Sequence, residues 1–303
     1  MEEFINIIMN KQLGLFEDNP NVEKINVGFT NTIYNVNNKY IIKICSDTNN
    51  EPKFQKEIDF YNANKDNNLI PKLYYSDTSK QYIPYFYEIL EKIKGVTLYN
   101  VWHTLSETER EDVIRQLCDA MKKMHSNVGE SYDWLEYNKN EYNKSIDKVI
   151  GEHLLTEEEL NKLNQAYSLF DKYLTSDEMV LIHNDLHFDN IFIKDGNIKI
   201  IDFERSMYTP RDYELGIIYR MIRKPWKFAS EECEEYTKLE DYENIMRYIE
   251  KYYPELIHIP NLYKRLAIYD LIYELPHFIK FVDSREETKE MIFECAKTIL
   301  EGE

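Results

Sequence analysis

One segment, residues 179–204, constrains the fold of this chain more than any other: MVLIHNDLHFDNIFIKDGNIKIIDFE. Its apolar start ends at Ile182 and gives way to a dense polar stretch. Asp195-Gly196 then separates two β-prone runs, which predicts a tight hairpin. Because a hairpin returns the end of its second strand to the start of its first, we expect Asn190 and Asp202 to be neighbours.

The rest of the chain predicts a small β-rich N-terminal lobe and a larger helical C-terminal lobe. The N-terminal pattern favours five strands and one helix, at 23–29, 31–36, 39–45, 72–76, 81–90 and 51–64. Two capping boxes predict helices through about residue 125 and over 156–174, the first at Ser106 and Glu109, the second at Thr156 and Glu159. The remainder, 212–300, is helical in pattern, with breaks expected at prolines 225, 254, 260 and 276. The two lobes, 1–94 and 95–303, are expected to meet at a hinge near 91–95.

Charge limits the possible partners. The chain has 37 basic and 55 acidic residues, a net charge of −18. Its field would repel nucleic acid and anionic membranes, so neither is expected as a partner, and a small cation is the more natural ligand. Acidity also favours solubility, which is the alternative explanation. The acidic N-terminus and the absence of a bilayer-length apolar run predict a cytoplasmic protein, and no protein partner is implied.

The polar residues of the opening segment match the needs of phosphoryl transfer. That reaction uses a divalent metal to bridge phosphate oxygens and a carboxylate to orient the attacking hydroxyl. Magnesium prefers oxygen ligands and retains several waters, so a carboxylate and an amide oxygen can suffice. Asn190 and Asp202 offer that pair, and Asp185 provides a further carboxylate in a D-x-x-x-x-N spacing.

These motifs carry a family resemblance. HNDLHFDN followed by IIDFE resembles the catalytic loop and metal-binding segment of the aminoglycoside phosphotransferase and choline kinase superfamily. The usual loop there is H-G-D-x-x-x-x-N, and Asn184 stands here in place of the glycine. The resemblance implies an α+β, bilobal, protein-kinase-like fold. It also implies Asp185 as catalytic base, Asn190 and Asp202 as Mg²⁺ ligands, and His183 as a support of the loop.

The same resemblance places a nucleotide, ATP or GTP, on the N-terminal lobe. VGFTNTIYNVNNKYIIKI is similar to the family's strand-turn-strand flap, with Gly28, Thr30 and Asn31 near its tip. The segment YEILEKIKG resembles the interlobe hinge, where the backbone around Glu91 and Ile93 would bind the base.

Lys43 is the expected phosphate-binding cation. It interrupts an apolar strand, and a lysine in such a position needs an anionic partner. Glu57 lies within the apolar stripe of the following helix and is the favoured partner, with Glu51 as the alternative.

Further acidic residues point to the acceptor. Asp270 and Glu274 lie one turn apart on a mostly apolar helix, and the alternative is an ordinary solvated pair. By resemblance, both residues and Glu204 would bind a cationic acceptor. In RDYELG, Asp212 or Glu214 would brace the catalytic loop.

Together these features lead us to expect a kinase for a small, cationic, hydroxylated acceptor. The first candidate is an aminoglycoside, whose phosphorylation confers antibiotic resistance. Choline or ethanolamine is the alternative acceptor. A non-catalytic nucleotide-binding scaffold is the rival function, and it predicts a missing base or metal ligand, whereas each is present.

Overall fold

The computed structural model describes residues 2–12, 14–16, 19–25, 31–175, 178–229 and 233–301. The chain forms two compact units. The first unit comprises Met1–Leu105 and Phe188–Ser206, and the second comprises Ser106–His187 and Met207–Glu303. The hairpin of the opening segment therefore belongs with the N-terminal part of the chain. Across the described ranges, no helix is both long and apolar enough to cross a membrane.

Short strands are found in both units. They are β1 (Val22–Ile25), β2 (Thr32–Val36), β3 (Tyr40–Ile44), β4 (Leu73–Asp77), β5 (Tyr87–Glu91), β6 (Val96–Thr97), β7 (Met179–Ile182), β8 (Ile191–Lys194), β9 (Asn197–Ile200) and β10 (Met207–Pro210).

The α-helices are concentrated in the second unit. They are α1 (Glu2–Lys11), α2 (Glu51–Ala63), α3 (Leu98–Val101), α4 (Glu107–His125), α5 (Trp134–Gly151), α6 (Glu157–Tyr167), α7 (Phe170–Tyr173), α8 (Glu214–Arg223), α9 (Ile245–Tyr252), α10 (Pro254–Ile257), α11 (Leu262–Lys280) and α12 (Arg285–Leu300).

The first unit is built on an antiparallel sheet of order β1-β2-β3-β5-β4. Alternation along β3 divides its side chains between the two faces. Ile42 and Ile44 pack with Ile5 and Ile8 of α1. Cys45, two positions after Lys43, packs with the α2 side of the sheet. The sheet therefore directs Lys43 towards α2.

Two tight turns follow from local turn chemistry. Asn37 and Asn38, between β2 and β3, have φ of 52° and 51°. Asp195 and Gly196, between β8 and β9, have φ of 49° and 75°. Asn, Asp and Gly tolerate this left-handed region, which two-residue hairpins require. Both predicted hairpins are confirmed.

The second unit is mainly helical. Helix α11 packs against α5, α8 and α12, and α4 packs against α9 and β7. Strand β7 pairs with β10 in antiparallel register, Ile182 opposite Met207. Both predicted capping boxes are present at the starts of α4 and α6. The predicted α+β class, with a small sheet-bearing part and a larger helical part, is confirmed.

Three element predictions were wrong or incomplete. Residues 81–86 are not a strand, because Pro84 cannot donate a ladder hydrogen bond, and β5 begins at Tyr87. Pro276 lies inside α11 without ending it, since Leu275 and Phe278 are buried on either side. The predicted helix 156–174 is divided into α6 and α7.

Candidate active site

Lys43 lies at the centre of a buried polar group in the first unit. Its ammonium is 2.5 Å from Glu57 Oε2 and 3.4 Å from Asp202 Oδ1. Burial alone would lower the pKa of Lys43, but the carboxylates of Glu57, Asp202 and Glu88 raise it above its usual value. The lysine therefore stays charged. Glu51, the alternative partner, is instead paired with Lys80 at 2.7 Å.

Glu88 is a member of this group that the sequence analysis missed. It is directly opposite Lys43 in the β3–β5 register and is fully buried. Neither of its carboxylate oxygens has a hydrogen-bond partner among the described residues. Burial, with the nearby Glu57 charge, raises its pKa well above the usual range. The signal was available, because Glu88 interrupts an apolar strand just as Lys43 does.

The hairpin carries Asp202 back beside Asn190. Ile201 N–H donates to the Asn190 carbonyl at 3.0 Å, and Ile191 is opposite Ile200. Asp202 has a φ of 66°, a left-handed conformation that is uncommon outside glycine and is typical of functional sites. Phe203 stacks on Phe60 of α2, with ring centroids 3.9 Å apart. Asn190 and Asp202 are therefore neighbours, as the hairpin predicted.

The oxygens around Asp202 suit a hard cation. One carboxylate oxygen each from Glu57, Asp202 and Glu204 lie within 4.8 Å of one another. Buried Asn190, which directly precedes β8, offers an amide oxygen beside them, and oxygen ligands of this kind are those that Mg²⁺ prefers. Glu204 also accepts a hydrogen bond from Asn31 at 3.4 Å.

In the second unit, Glu214 supports the polar loop, which we define as residues 183–187. Its carboxylate accepts the backbone N–H groups of His183 and Asn184 at 2.7 and 3.0 Å. Asn184 has a φ of 63°, which explains why asparagine can stand where the family has glycine. The buried His183 accepts the N–H of Asp185 through Nδ1 at 3.2 Å. These bonds fix the backbone that presents Asp185.

Asp212 has a different location from Glu214. Its carboxylate accepts hydrogen bonds from Arg265 at 2.6 and 2.9 Å and from Tyr269 at 3.0 Å. It therefore ties the start of α8 to α11, while the direct bonds to the loop come from Glu214. His125 stands behind Glu214, with Nε2 3.6 Å from its carboxylate.

The two acidic residues of α11 have contrasting surroundings. Asp270 is buried and paired with Arg220 at 2.8 Å, with Arg223 at 3.6 Å. Glu274 is 6% exposed and lines a cavity. Burial raises the pKa of Glu274, an effect that His277, Arg220 and Lys227 partly offset.

Two further residues predicted for the nucleotide, Glu91 and Ile93, belong to the first unit. Gly28 and Thr30 lie outside the described residues. Glu91 ends β5, where its carboxylate is 3.4 Å from Lys199, and the buried Ile93 follows it.

Comparison with known proteins identifies the family. A family model described as phosphotransferase enzyme family matches residues 21–247. The chain belongs to this family. A methylthioribose kinase from Erwinia tasmaniensis is 29% identical over 112 residues, which are 36% of this chain. That match spans 26% of the length of the relative.

Solved structures share the fold. The ADP-bound aminoglycoside phosphotransferase APH(2'')-Ib aligns at a TM-score of 0.69 and 18% identity, over 98% of this chain and 97% of that one. The gentamicin complex of APH(2'')-IIa aligns at 0.65 and 18%, over 99% and 96%. A GDP complex of aminoglycoside 2'-phosphotransferase-IIIa aligns at 0.69 and 15%, over 98% and 95%. The expected kinase-like fold is confirmed.

Proposed function

We propose that this protein is a magnesium-dependent small-molecule kinase. It transfers the γ-phosphate of ATP or GTP to a hydroxyl of a small acceptor that carries an ammonium group. The observation that carries this proposal is the buried Lys43, which is paired with Glu57 of α2 and with Asp202. The β8–β9 hairpin brings Asp202 beside Asn190. An ammonium group held beside carboxylates that can bind a metal suits a metal–triphosphate complex. In such a complex the phosphate oxygens bind both the ammonium group and the metal ion.

The protein's own residues have separate roles in the proposed reaction. Lys43 binds α- and β-phosphate oxygens, and Glu57 holds the lysine in place. Asn190 and Asp202, with Glu204 nearby, would hold Mg²⁺, which offsets charge on the phosphates. Asp185, on the loop that Glu214 braces, orients the acceptor hydroxyl and takes its proton. Asn31 and the backbone near Gly28 and Thr30 would cover the phosphates, and the backbone of Glu91 and Ile93 would bind the base.

Aminoglycosides are the first acceptor class to test. Solved structures with this fold include a complex with gentamicin, and this chain has a net charge of −18. Glu204 and Glu274 are the carboxylates we propose for the acceptor's ammonium groups. Asp270 stays a prediction for that role, although its carboxylate is already paired with Arg220. Choline and ethanolamine are the second candidates, because Glu274 shares its cavity with Phe228, Tyr273 and Phe281, and aromatic rings bind such ammonium groups.

The test is magnesium-dependent ADP or GDP release with kanamycin, gentamicin, choline or ethanolamine. Asp185→Asn should lower kcat by about 10²–10⁴-fold, the usual contribution of a general base, and leave nucleotide affinity unchanged. Asp189→Asn, in the same stretch of sequence, is the matched control and should retain activity. Transfer that persists in Asp185→Asn would contradict the proposed base. Nucleotide binding with no stimulation by any hydroxylated acceptor would instead favour the scaffold.

A further inference from the structure

A cavity of about 320 Å³ lies in the second unit. It is lined by residues from the end of α8, from 224–228, from α11 and the segment after it, and from the start of α12. Phe228 forms part of its wall, and the Phe228 ring centroid is 6.4 Å from that of His187. His187 Nε2 is in turn 3.9 Å from Asp185 Oδ2. The cavity wall and the proposed base are therefore linked through one side chain.

Glu274 is the carboxylate that this cavity leaves unsatisfied. It is 6% exposed and has neither a hydrogen bond nor an ion pair within the described part of the chain. A buried carboxylate in that condition is unfavourable unless a donor or a cation meets it. Because Glu274 lines the cavity, a ligand with an ammonium group can supply that partner.

Two lysines that line the same cavity carry a surplus of positive charge. Lys224 and Lys227 lie 3.3 and 2.9 Å from the same oxygen, Glu287 Oε1. One carboxylate thus serves two ammonium groups, which leaves one positive charge uncompensated by ion pairs. Arg220 adds no further surplus, since it pairs with Asp270 and its guanidinium covers the Tyr273 ring at 3.9 Å.

The negative and positive charges line one cavity without meeting. No ion pair joins Glu274 to Lys224 or Lys227 among the described residues, although each lines the same space. Lys227 nevertheless helps to offset the rise in the pKa of Glu274. A ligand complementary to this arrangement carries one positive and one negative group. An aminoglycoside or choline satisfies Glu274 but offers no anion to the lysines.

We propose that the cavity binds a hydroxylated zwitterion, of the type of an amino acid with a side-chain hydroxyl. Its ammonium group binds Glu274, its carboxylate binds Lys224 and Lys227, and its hydroxyl faces Asp185. This rests on the proposed kinase function and narrows its acceptor. In the reaction, the hydroxyl oxygen forms a bond to the γ-phosphorus and the bond to the β,γ-bridging oxygen breaks. The nucleoside diphosphate leaves, and the hydroxyl proton passes to Asp185.

The first experiment measures ADP release and product mass with Mg-ATP and matched acceptors. L-serine, L-threonine and L-homoserine are each compared with the methyl ester, which lacks the anion, and with the hydroxy acid, which lacks the ammonium. At least one amino acid should stimulate release, and its ester and hydroxy acid should each lose about 10-fold or more in kcat/KM. Stimulation by kanamycin or choline alone would overturn the zwitterion and retain the kinase. Failure of every acceptor, with no transfer of phosphate, would overturn both.

Variants connect the preference to the cavity. Lys224→Gln with Lys227→Gln should raise KM for the amino acid about 10-fold or more, with little change in kcat and no change for the ester. Glu274→Gln should raise KM for both the amino acid and the ester. Lys289→Gln is the matched control, because Lys289 is on α12 and pairs with Glu159 outside the cavity. Equal effects of the lysine changes on amino acid and ester would overturn the assignment. Unchanged thermal unfolding of each variant confirms that it folds.

Discussion

At the scale of single residues, the candidate nucleotide site has one ammonium group, that of Lys43, near several carboxyl groups. Lys43 has Glu57 and Asp202 as ion-pair partners and Glu88 beside it in the sheet. The lysine side chain is 9% exposed and that of Glu57 is 1% exposed. In such a place the ion pair is weak evidence for stability, because desolvation offsets most of the attraction. We propose that the pair instead holds an ammonium group where phosphate oxygens can replace Asp202.

Removal of the lysine should therefore affect both stability and binding. Lys43→Met leaves Glu57 buried and uncompensated, which costs about 3–5 kcal/mol in the free energy of unfolding. Nucleotide affinity should also be lost. Lys43→Met with Glu57→Leu removes both charges and should recover much of the stability without recovering binding. Urea unfolding and nucleotide titration measure the two quantities. A double variant no more stable than Lys43→Met would show that the pair is not the source of the loss.

Glu214 gives a pH dependence with a definite sign. Burial would raise its pKa, but His125 and the N–H groups of the polar loop lower it below its usual value. A carboxyl group whose pKa is lower in the folded state than in the unfolded state stabilises the fold at pH values above its unfolded pKa, about 4.3. It loses that effect as the pH falls through the folded pKa. Glu214→Gln should thus be less stable than wild type at pH 7, by about 1.5–3 kcal/mol, the contribution of a hydrogen bond to a charged group.

The test is urea unfolding of both proteins between pH 7 and pH 3. The difference in stability should be largest at pH 7 and shrink as the pH falls below the unfolded pKa, about 4.3, and through the lower folded pKa. Glu152→Gln, at the exposed end of α5, is the control and should leave stability unchanged at every pH. A difference that is constant down to pH 3 would show that the ionised form of Glu214 is not what stabilises the loop.

At the scale of elements, helix α4 begins with a complete capping box. Ser106 accepts the N–H of Glu109, and the Glu109 carboxylate accepts the N–H of Ser106 at 2.8 Å. Ser106→Ala removes the side-chain acceptor and should lower the free energy of unfolding by about 1 kcal/mol. Activity should be unaffected, because exposed Ser106 lies at the start of α4, at the end of the helix away from His125. Thermal unfolding and ADP release test the two parts. A loss of activity at full stability would mean that the start of α4 takes part in the reaction.

Sequence predicted those elements whose causes are local. The β8–β9 hairpin follows from Asp195-Gly196, and α4 and α6 follow from their caps. Elements fixed by distant partners were not predicted. The pairing of β7 with β10 joins Ile182 to Met207, and nothing between these residues marks that register. Helix α1 is held by burial of Ile5 and Ile8 against the sheet, a tertiary effect that local pattern does not encode.

The same distinction applies to the candidate site. Asp185, Asn190 and Asp202 could be proposed from the sequence because a short loop and one hairpin contain them. Lys43 was found because a charge inside an apolar strand is conspicuous. Glu88 was missed although it also interrupts an apolar strand. The separate tasks of Asp212 and Glu214 required three-dimensional neighbours, since Arg265 binds one carboxylate and the polar loop binds the other. Lys224 and Lys227, which line the cavity of Glu274, belong to no sequence motif.

At the scale of the whole molecule, the first unit is discontinuous in sequence. Phe188–Ser206 packs with Met1–Leu105, so the proposed metal ligands are separated from Asp185 by a unit boundary after His187. The donor residues Lys43, Glu57, Asn190 and Asp202 accordingly share one unit. Asp185 and the cavity residues Glu274, Lys224 and Lys227 belong to the second unit. Substitutions in the cavity should therefore alter acceptor kinetics with little change in nucleotide affinity.

The net charge of −18 predicts how salt affects the two substrates. Mg-ATP is anionic and approaches against the field of the protein, whereas a zwitterion has no net charge. Raising NaCl from about 20 to about 200 mM shortens the screening length and should lower KM for Mg-ATP about two- to threefold, while KM for the amino acid stays constant. Initial rates at fixed free Mg²⁺, with KCl in parallel to exclude a specific ion effect, measure both. A polycationic acceptor would behave differently, because screening removes its attraction and raises its KM. An amino-acid KM that rises steeply with salt would therefore argue against the zwitterion, whatever the nucleotide does.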